Sequence, residues 1–273
     1  MNPFSEGGRR MNGIYKESTV SKPLVTVATV VRNAATQLEK TIHSVLSQTY
    51  ENIEYIIIDG GSTDGSLDII KKYNPVIDYW LSVKDKGVYY GMNTAIDLAR
   101  GQWINFLNAG DLFCHENVLQ TVFEAPRFPE DSDLLYGDFY FHFANGTIVP
   151  LKANPLDTLW QCMAFSHQSL FTRTQVLAEQ KFSHNYKSAS DYHFIINAYR
   201  EKKKFFYLNE FICVYADGGI SIKRQFRSLM EQWRIAREYG TNGQLRKKEI
   251  DKFYIKEVVD HLPGIIYRML QNT

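Results

Sequence analysis

Between Leu24 and Leu107 four apolar strand patterns alternate with three helical ones, and this alternation constrains the fold more than any other feature. The strand patterns are Leu24–Val31, Ile53–Asp59, Asp78–Val83 and Trp103–Leu107. They are short, rich in β-branched and aromatic residues, and continuous rather than alternating, which marks strands buried on both faces. Between them, Leu38, Ile42, Val45 and Leu46 fall on one face of a helix, Leu67–Lys72 reads as a shorter one, and Tyr89, Met92, Ala95, Ile96 and Ala99 mark a third that Gly101 closes. Repeated units of this kind build an α/β domain with a mostly parallel central sheet flanked by helices, and such sheets receive ligands at the carboxyl ends of their strands.

The second half changes character. Leu134–Phe143 and Thr147–Lys152 flank Asn145-Gly146, a hairpin turn signal that explains the Asn-Gly-Thr triplet better than a glycosylation acceptor does. Helices are predicted around Pro155–Cys162 and over Asp191–Glu201. After the Gly218-Gly219 break, Gln225–Tyr239 and Gln244–Val259 also read as helices. The expected organisation is a mobile N-terminal tail over 1–22, a main domain over 23–221 and a helical extension over 222–273.

Thirty-one Lys and Arg against thirty Asp and Glu leave a net charge of +1, so no global field draws this chain to nucleic acid. Cys114, Cys162 and Cys213 stand far apart with no C-x-x-C pair, which argues against a zinc site or a disulfide framework. No apolar run matches a secretory signal or the roughly 20 residues of a spanning helix, and a cytoplasmic protein is expected. The basic runs Lys202-Lys203-Lys204, Lys223-Arg224 to Arg227 and Arg246-Lys247-Lys248 read as solvated faces, with peripheral contact to an anionic membrane as the second reading. Core packing is the default for Tyr254, Ile255, Val258, Val259, Ile265, Ile266 and Leu270; membrane contact and a homodimer seam stay open.

The polar residues at strand ends carry the chemistry. Arg32-Asn33-Ala34-Ala35 follows the first strand where a dinucleotide cradle needs G-x-G-x-x-G, and Ser66 stands where a P-loop needs lysine. Asp59 ends the second strand beside Gly60-Gly61. There it caps its own turn or accepts hydrogen bonds from a base or ribose. Asn108-Ala109-Gly110-Asp111 ends the fourth strand and puts a second carboxylate on the same sheet edge, a hard oxygen ligand suited to Mg²⁺ or Mn²⁺ that completes its shell on phosphate.

Taken in order, Leu24–Asn33, Leu46-Ser47-Gln48-Thr49-Tyr50, Ile57-Ile58-Asp59-Gly60-Gly61-Ser62-Thr63-Asp64-Gly65 and Phe106-Leu107-Asn108-Ala109-Gly110-Asp111 resemble family 2 glycosyltransferases. The run Lys84-Asp85-Lys86-Gly87-Val88-Tyr89-Tyr90-Gly91-Met92-Asn93 is similar to the bacterial exopolysaccharide, colanic-acid-type subgroup. The resemblance covers roughly Leu24 to Ser221. It implies a GT-A fold, with a donor half about 23–112 and an acceptor half about 113–221. It further implies a nucleotide-diphospho-sugar donor, a divalent cation, inversion at the anomeric carbon and a glycan or lipid-linked acceptor. Asp59 matches the first aspartate of the family's Asp-Asp pair, and Gly60 replaces the second. Asp111 matches the last aspartate of the DxD-type motif and is the implied metal ligand, while Asn108 and Gly110 hold positions that are often acidic. Asp191, in Ser188-Ala189-Ser190-Asp191-Tyr192, matches the catalytic base, with Ser190 in place of a frequent glutamate. The implied donor contacts are Val30, Asn33, Asp59, Asp85, Asn93, Asn108, Gly110 and His167, the last from a His167-Gln168 pair of the subgroup. Two rivals remain: a nucleotidyltransferase, which lacks a basic glycine-rich loop here, and a degenerate member that binds nucleotide sugar without turnover.

Overall fold

A computed structural model describes residues 4–19, 22–124, 128–216, 225–239 and 247–258. In chain order the first half carries β1 (Phe4–Gly7), β2 (Val25–Val31), α1 (Ala35–Leu46), β3 (Ile53–Asp59), α2 (Ser66–Lys72), β4 (Tyr79–Val83), α3 (Val88–Leu98), β5 (Trp103–Phe106), β6 (Leu112–Phe113) and α4 (Val118–Phe123). The second half carries β7 (Leu134–His142), β8 (Ile148–Leu151), β9 (Leu170–Arg173), α5 (Thr174–Glu179), α6 (Ser190–Arg200), β10 (Phe205–Ala216) and α7 (Gln225–Tyr239). Residues 247–258 are helical as well.

One sheet runs β1-β4-β3-β2-β5-β9-β7-β10-β6, with β8 paired to β7. Its centre, β4-β3-β2-β5, is parallel, as the alternation of strand and helix predicts. Every residue of β2 and β3 is buried, which is why these strands read as continuous apolar runs. α1 buries Leu38, Thr41, Ile42 and Val45, while Leu46, grouped with that face in the sequence reading, is 39% exposed. One core cluster links β3, β5, β9 and α4 through Ile57, Trp103, Phe171 and Phe123, with Phe123 edge-on to Phe171 at 5.3 Å.

Residues 4–19 differ from the mobile tail expected of 1–22. β1 pairs antiparallel with β4 from Phe4↔Val83 to Gly7↔Trp80, so it occupies the sheet edge that β4 would otherwise expose. The chain then turns so that Arg10 enters a polar pocket. Its guanidinium pairs with Glu54 and donates to the Leu98 carbonyl at 2.9 Å, and Glu54, buried on β3, also accepts from Thr26 Oγ1 at 2.6 Å and Arg100 N at 2.8 Å. A buried carboxylate on a central strand needs this cation, and the tail is where the cation comes from.

β10 is the largest element that the sequence reading passes over. It pairs in parallel with β7 from Phe205↔Leu134 to Ala216↔His142, with register shifts between Tyr207 and Phe211 and between Phe211 and Cys213. Asn209 lies at φ 52°, so the inside-outside alternation breaks in mid-strand and the period-2 signal is lost. The helix predicted around Pro155–Cys162 shrinks to one 3₁₀ turn, Leu156–Thr158, because the Thr158 N–H and hydroxyl both bond the Pro155 carbonyl, at 3.0 and 2.6 Å. The Asn145-Gly146 hairpin forms as read: Gly146 takes φ 87° and the Thr147 N–H donates to Asn145 Oδ1 at 3.0 Å.

The chain divides into two compact units. The first holds the described residues of Met1–Ala153 with Phe165–Phe182 and Lys204–Ala216, and so the whole sheet. The second gathers Asn154–Ala164, Ser183–Lys203 and the described residues of 217–273. Within it Tyr254, wholly buried, donates to the Gln161 carbonyl at 2.7 Å, and Trp233 donates to Asp251 at 2.8 Å. Tyr254 thus takes the core role, while Ile255 is 52% exposed. Val259, Ile265, Ile266 and Leu270, the Gly218-Gly219 break, Lys223-Arg224 and Arg246 lie outside the described residues. No described helix is long and apolar enough to cross a membrane.

If the Arg10–Glu54 pair anchors the N-terminal segment, Arg10→Ala leaves a buried carboxylate without its cation and lowers stability by roughly 3 kcal/mol. Adding Glu54→Gln should recover much of that loss. Urea unfolding of the two variants measures both effects.

Candidate active site

Parallel pairing brings the ends of β2, β3 and β5 to one edge, and two loops are clipped together there. Gly60 N–H donates to the Val31 carbonyl at 2.9 Å, continuing the β2–β3 ladder past its last pair. Asn33, at φ 53°, accepts the Thr63 N–H at 2.8 Å on its side-chain oxygen and donates its own N–H to Ser62 Oγ at 2.8 Å. Asp64 accepts from Ala35 N at the start of α1 and from both N–H and hydroxyl of Ser66 at the start of α2. Asn33 therefore holds the β2 loop to the β3 loop, with its backbone in the left-handed region that Asn tolerates.

Asp59 is wholly buried. Its carboxylate accepts Ser62 N–H at 3.2 Å, Ser62 Oγ at 2.5 Å and Ser82 Oγ at 2.6 Å, the last reaching over from β4. These bonds satisfy the buried carboxyl group and shape the glycine turn. Asp85, half-buried, lies next to it, and the missing second aspartate of the motif has a steric explanation. A Cβ on Gly60 would sit 2.8 Å from Asp85 Oδ2, so a side chain at position 60 and the Asp85 carboxylate compete for one space. Burial pushes the Asp85 carboxyl up from its usual range, the Asp59 charge adds to that, and the Gly87 N–H and Arg32 oppose it. Gly91 lets α3 close on this cluster: a Cβ there would meet Val30 Cγ1 at 2.7 Å. The same Cβ would lie 3.3 Å from Asp85 Oδ2, so Gly91 brings α3 close to both Asp85 and Val30, which is 7% exposed. Asn93 clamps Phe182 by accepting its N–H at 3.0 Å and donating to its carbonyl at 2.8 Å.

The second cluster is at the end of β5. Gly110, at φ 108°, makes the turn that only glycine enters without strain, and its N–H donates to Thr41 Oγ1 at 2.9 Å. Thr41 in turn donates to the Asp111 carbonyl at 2.9 Å, so α1 fixes the whole Asn108–Asp111 turn. Asp111 is 5% exposed; its Oδ2 accepts from Gln168 Nε2 at 2.8 Å and its Oδ1 from the Ala216 N–H at 3.1 Å. Burial pushes its carboxyl up to about 6 despite those two bonds and the nearby His167. His167 Nε2 is 3.1 Å from Asn108 Nδ2, and Asn108 Oδ1 is buried with no hydrogen-bond partner. The 3₁₀ turn His167–Ser169 is pinned by Asn105, whose amide donates to the carbonyls of Gln168 and Leu170, both at 2.9 Å.

Of the residues selected from sequence, Asp59, Asp85 and Val30 thus meet in one cluster, and Asn108, Gly110, Asp111 and His167 in another. Gln168, Thr41, Ser82 and Asn105 position them. Only Gln168 had a signal of its own, as the partner of His167 in a motif. Among the described residues no three His, Cys, Asp or Glu side chains converge as a metal cluster. A single buried carboxylate beside an amide oxygen that lacks a donor still suits a hard divalent cation that draws its remaining ligands from phosphate and water.

The family model described as glycosyl transferase family 2 matches residues 26–190, more than half of the chain. The protein belongs to that family. A PGL/p-HBAD biosynthesis glycosyltransferase of Mycobacterium tuberculosis is 30% identical over 184 residues, 66% of this chain and 71% of the relative. The putative teichuronic acid biosynthesis glycosyltransferase TuaG of Bacillus subtilis is 39% identical over 94 residues, 33% of this chain and 37% of TuaG. Among solved structures, S. aureus TarS 1–349 in complex with UDP superposes with a TM-score of 0.60 at 19% identity, covering 88% of this chain and 72% of TarS 1–349. The mannosyltransferase PcManGT from Pyrobaculum calidifontis, in complex with GDP-Man and Mn²⁺, does so at 0.61 and 16%, covering 81% and 65%. The fold is GT-A and the protein is a glycosyltransferase.

In the second unit, Asp191 lies in the first turn of α6 and is 8% exposed. The three residues before α6 are held by one carboxylate: Glu231 on α7 accepts the N–H groups of Lys187, Ser188 and Ala189, at 2.9, 2.8 and 3.2 Å for its Oε2. No local sequence signal marks Glu231, because its partners are backbone groups about 40 residues away.

The raised Asp111 carboxyl carries a stability consequence. The folded protein binds this proton more tightly than the unfolded chain, so the contribution is full below about pH 4 and is lost as pH rises through about 6. Asp111→Asn cannot ionise. In metal-free buffer the variant should gain on the parent by up to roughly 3 kcal/mol between pH 4 and 7, as read from paired denaturant melts.

Proposed function

We propose that this glycosyltransferase is an inverting enzyme that moves a sugar from a nucleotide-diphosphate donor to an acceptor hydroxyl during surface polysaccharide or glycolipid assembly. The observation that carries this reading is the Asp111 turn: a buried carboxylate at the end of a parallel strand, held by α1 and Gln168, next to an amide end without a partner. The names of the mycobacterial relative and of TuaG support assembly of a cell-surface glycoconjugate, and the ligands of TarS and PcManGT support a nucleotide-sugar donor with a divalent cation.

In the proposed reaction the Asp59–Asp85 side of the sheet edge meets the nucleoside. The Asp85 carboxylate, half-buried and against Gly60, offers the acceptor atoms for a base or ribose, while Asp59 holds the turn that places it. Asp111 would hold the cation, with Mg²⁺ or Mn²⁺ suited to its oxygen. When bound, the cation supplies positive charge against the leaving diphosphate. Asp191 is assigned as general base. The acceptor oxygen bonds to the anomeric carbon from the face opposite the diphosphate, the bond from that carbon to the phosphate oxygen breaks, and Asp191 takes the acceptor proton. Its position in the first turn of α6 and the Glu231 clamp on the preceding backbone support a fixed carboxylate there. A glycan or lipid-linked acceptor, peripheral contact with a membrane and a cytoplasmic setting complete the proposal.

Calorimetry of UDP, GDP, dTDP and CMP sugars, each with and without Mn²⁺, tests the donor. One nucleotide sugar should bind in a Mn²⁺-dependent way. Silence from the whole panel with folded protein would remove the donor assignment and favour a protein that has lost turnover. Asp191→Asn should reduce kcat by about 100-fold or more while donor affinity is unchanged. Turnover that survives in this variant would show that another group takes the proton.

A further inference from the structure

We infer that Glu231 on α7 is a positioning residue for the proposed base Asp191, so that the C-terminal helical extension supplies part of the catalytic apparatus. The inference rests on the assignment of Asp191 as general base and goes beyond it by naming the group that sets where that carboxylate stands. The family match ends at residue 190, so α7 lies outside the region shared with the family model. The argument starts from one carboxylate that gathers four contacts from three consecutive backbone amides. The Lys187 N–H lies 3.0 Å from Glu231 Oε1 and 2.9 Å from Oε2, and Oε2 also accepts the Ser188 N–H at 2.8 Å and the Ala189 N–H at 3.2 Å. Hydrogen bonds to an ionised acceptor are about twice as strong as neutral ones, and three neighbouring amides sharing one such acceptor restrict the backbone of that stretch.

The clamped amides lead directly into the turn that carries the base. Ala189 stands at the cap position of α6, and its carbonyl accepts the His193 N–H at 3.0 Å. Asp191 Oδ1 accepts the Tyr192 N–H at 2.9 Å, which ties the carboxylate to that same first turn. Ser190 Oγ donates to the Ser183 carbonyl at 2.8 Å and so closes the loop that runs into the helix. An alanine at the cap has no side-chain acceptor, where Ser, Thr, Asp or Asn would ordinarily fix the helix entry locally. Here the order is imposed from α7 instead. A displacement of the helix entry carries Asp191 with it, and a misplacement of about 1 Å at a reacting group costs on the order of 100-fold in rate.

A clamp that served stability alone would satisfy the same three amides, and the two roles differ in what depends on them. The Ser188 and Ala189 contacts are part-buried and those of Lys187 exposed, so water can replace the carboxylate when Glu231 is truncated. The core of this unit, around Ala236, Ile250 and Tyr254, does not include Glu231. What truncation removes is the fixed geometry of the helix entry. Positioning acts through Asp191, so its rate cost vanishes once residue 191 cannot take a proton, whereas a structural cost persists whatever stands there. Residues that act as one unit are non-additive in this way.

The test is a double-mutant cycle on the full chain, read as nucleoside diphosphate released from UDP-glucose, UDP-N-acetylglucosamine or GDP-mannose with Mn²⁺, and with octyl glucoside as surrogate acceptor. Amide hydrogen exchange of residues 187–189 is followed alongside, without substrate. Glu231→Ala should lower kcat by about tenfold or more with the donor KM unchanged. It should also quicken exchange at these amides by about tenfold. Glu231→Gln, which keeps an oxygen for the amides, should recover most of the rate, while Glu231→Asp, whose carboxylate is withdrawn by one methylene, should lose about as much as Glu231→Ala. In the Asp191→Asn background, Glu231→Ala should cost nothing further. Parental kcat in Glu231→Ala, equal losses in both backgrounds, or unchanged exchange at residues 187–189 would overturn the inference and leave Asp191 as the base. If Asp191→Asn itself turns over like the parent, the base assignment falls and this inference with it. A parent that releases no diphosphate from any donor removes both as well. Should Glu231→Ala fail to fold, the same cycle run with Glu231→Asp decides the matter.

Discussion

Parallel pairing of β3, β2 and β5 is the constraint on which the rest of this structure depends. Parallel strands end on the same edge, and a sheet covered on both faces leaves that edge as the place where polar groups gather. Asp59 ends β3, Arg32 and Asn33 follow β2, and Asn108 to Asp111 follow β5, so residues 26 to 79 positions apart in the chain meet along one rim. The loops are then tied to each other before any ligand arrives. Gly60 bonds Val31, Asn33 bonds Ser62 and Thr63, and Thr41 bonds both Gly110 and Asp111. A rim organised in this way is rigid enough to place charges, as a site that stabilises a leaving diphosphate requires.

Asp59 and Asp111 share a strand-end position but differ in environment. Asp59 is surrounded by donors from its own turn and from Ser82, which satisfy its carboxyl oxygens inside the protein. Asp111 has one side-chain donor and one backbone donor, and burial outweighs them, so its proton is held up to about pH 6. A carboxylate in that condition is under-supplied with positive charge, which is why the proposed cation is assigned to it. The same comparison accounts for the departure at Gly60. The space a side chain would need there is filled by Asp85, an acid supplied from the loop before α3 rather than from the motif itself.

The second unit is built on different physics. Among its described residues there is no strand, and its helices meet around Tyr254, Ile250 and Ala236, with hydrogen bonds from buried aromatic side chains to backbone carbonyls. Glu231 accepts three consecutive backbone N–H groups ahead of α6, which settles how the chain enters the helix whose first turn holds Asp191. A negative charge on these amides adds to the local field at the start of α6, and it holds the backbone in a single arrangement.

By itself the sequence determined the parallel half of the fold, the β7–β8 hairpin, the α6 and α7 helices and the position of each strand-end acid. All of these follow from local periodicity and turn chemistry, which act over a few residues and are therefore written in consecutive ones. The tertiary structure alone decided the parts that depend on partners far along the chain. The N-terminal segment looks like a polar tail until Glu54, buried on a central strand, requires Arg10. β10 is hidden because its bulges break the alternation that identifies a strand, and only its pairing with β7 restores it. Asp59 and Asp111 are indistinguishable as letters, and their difference comes from donors on β4, α1 and the His167-Gln168 turn. The bonds of Asn93 to both backbone groups of Phe182 have no local signal either, and Glu231 carries none at all. Burial and long-range hydrogen bonding set these outcomes, and neither has a period along the chain.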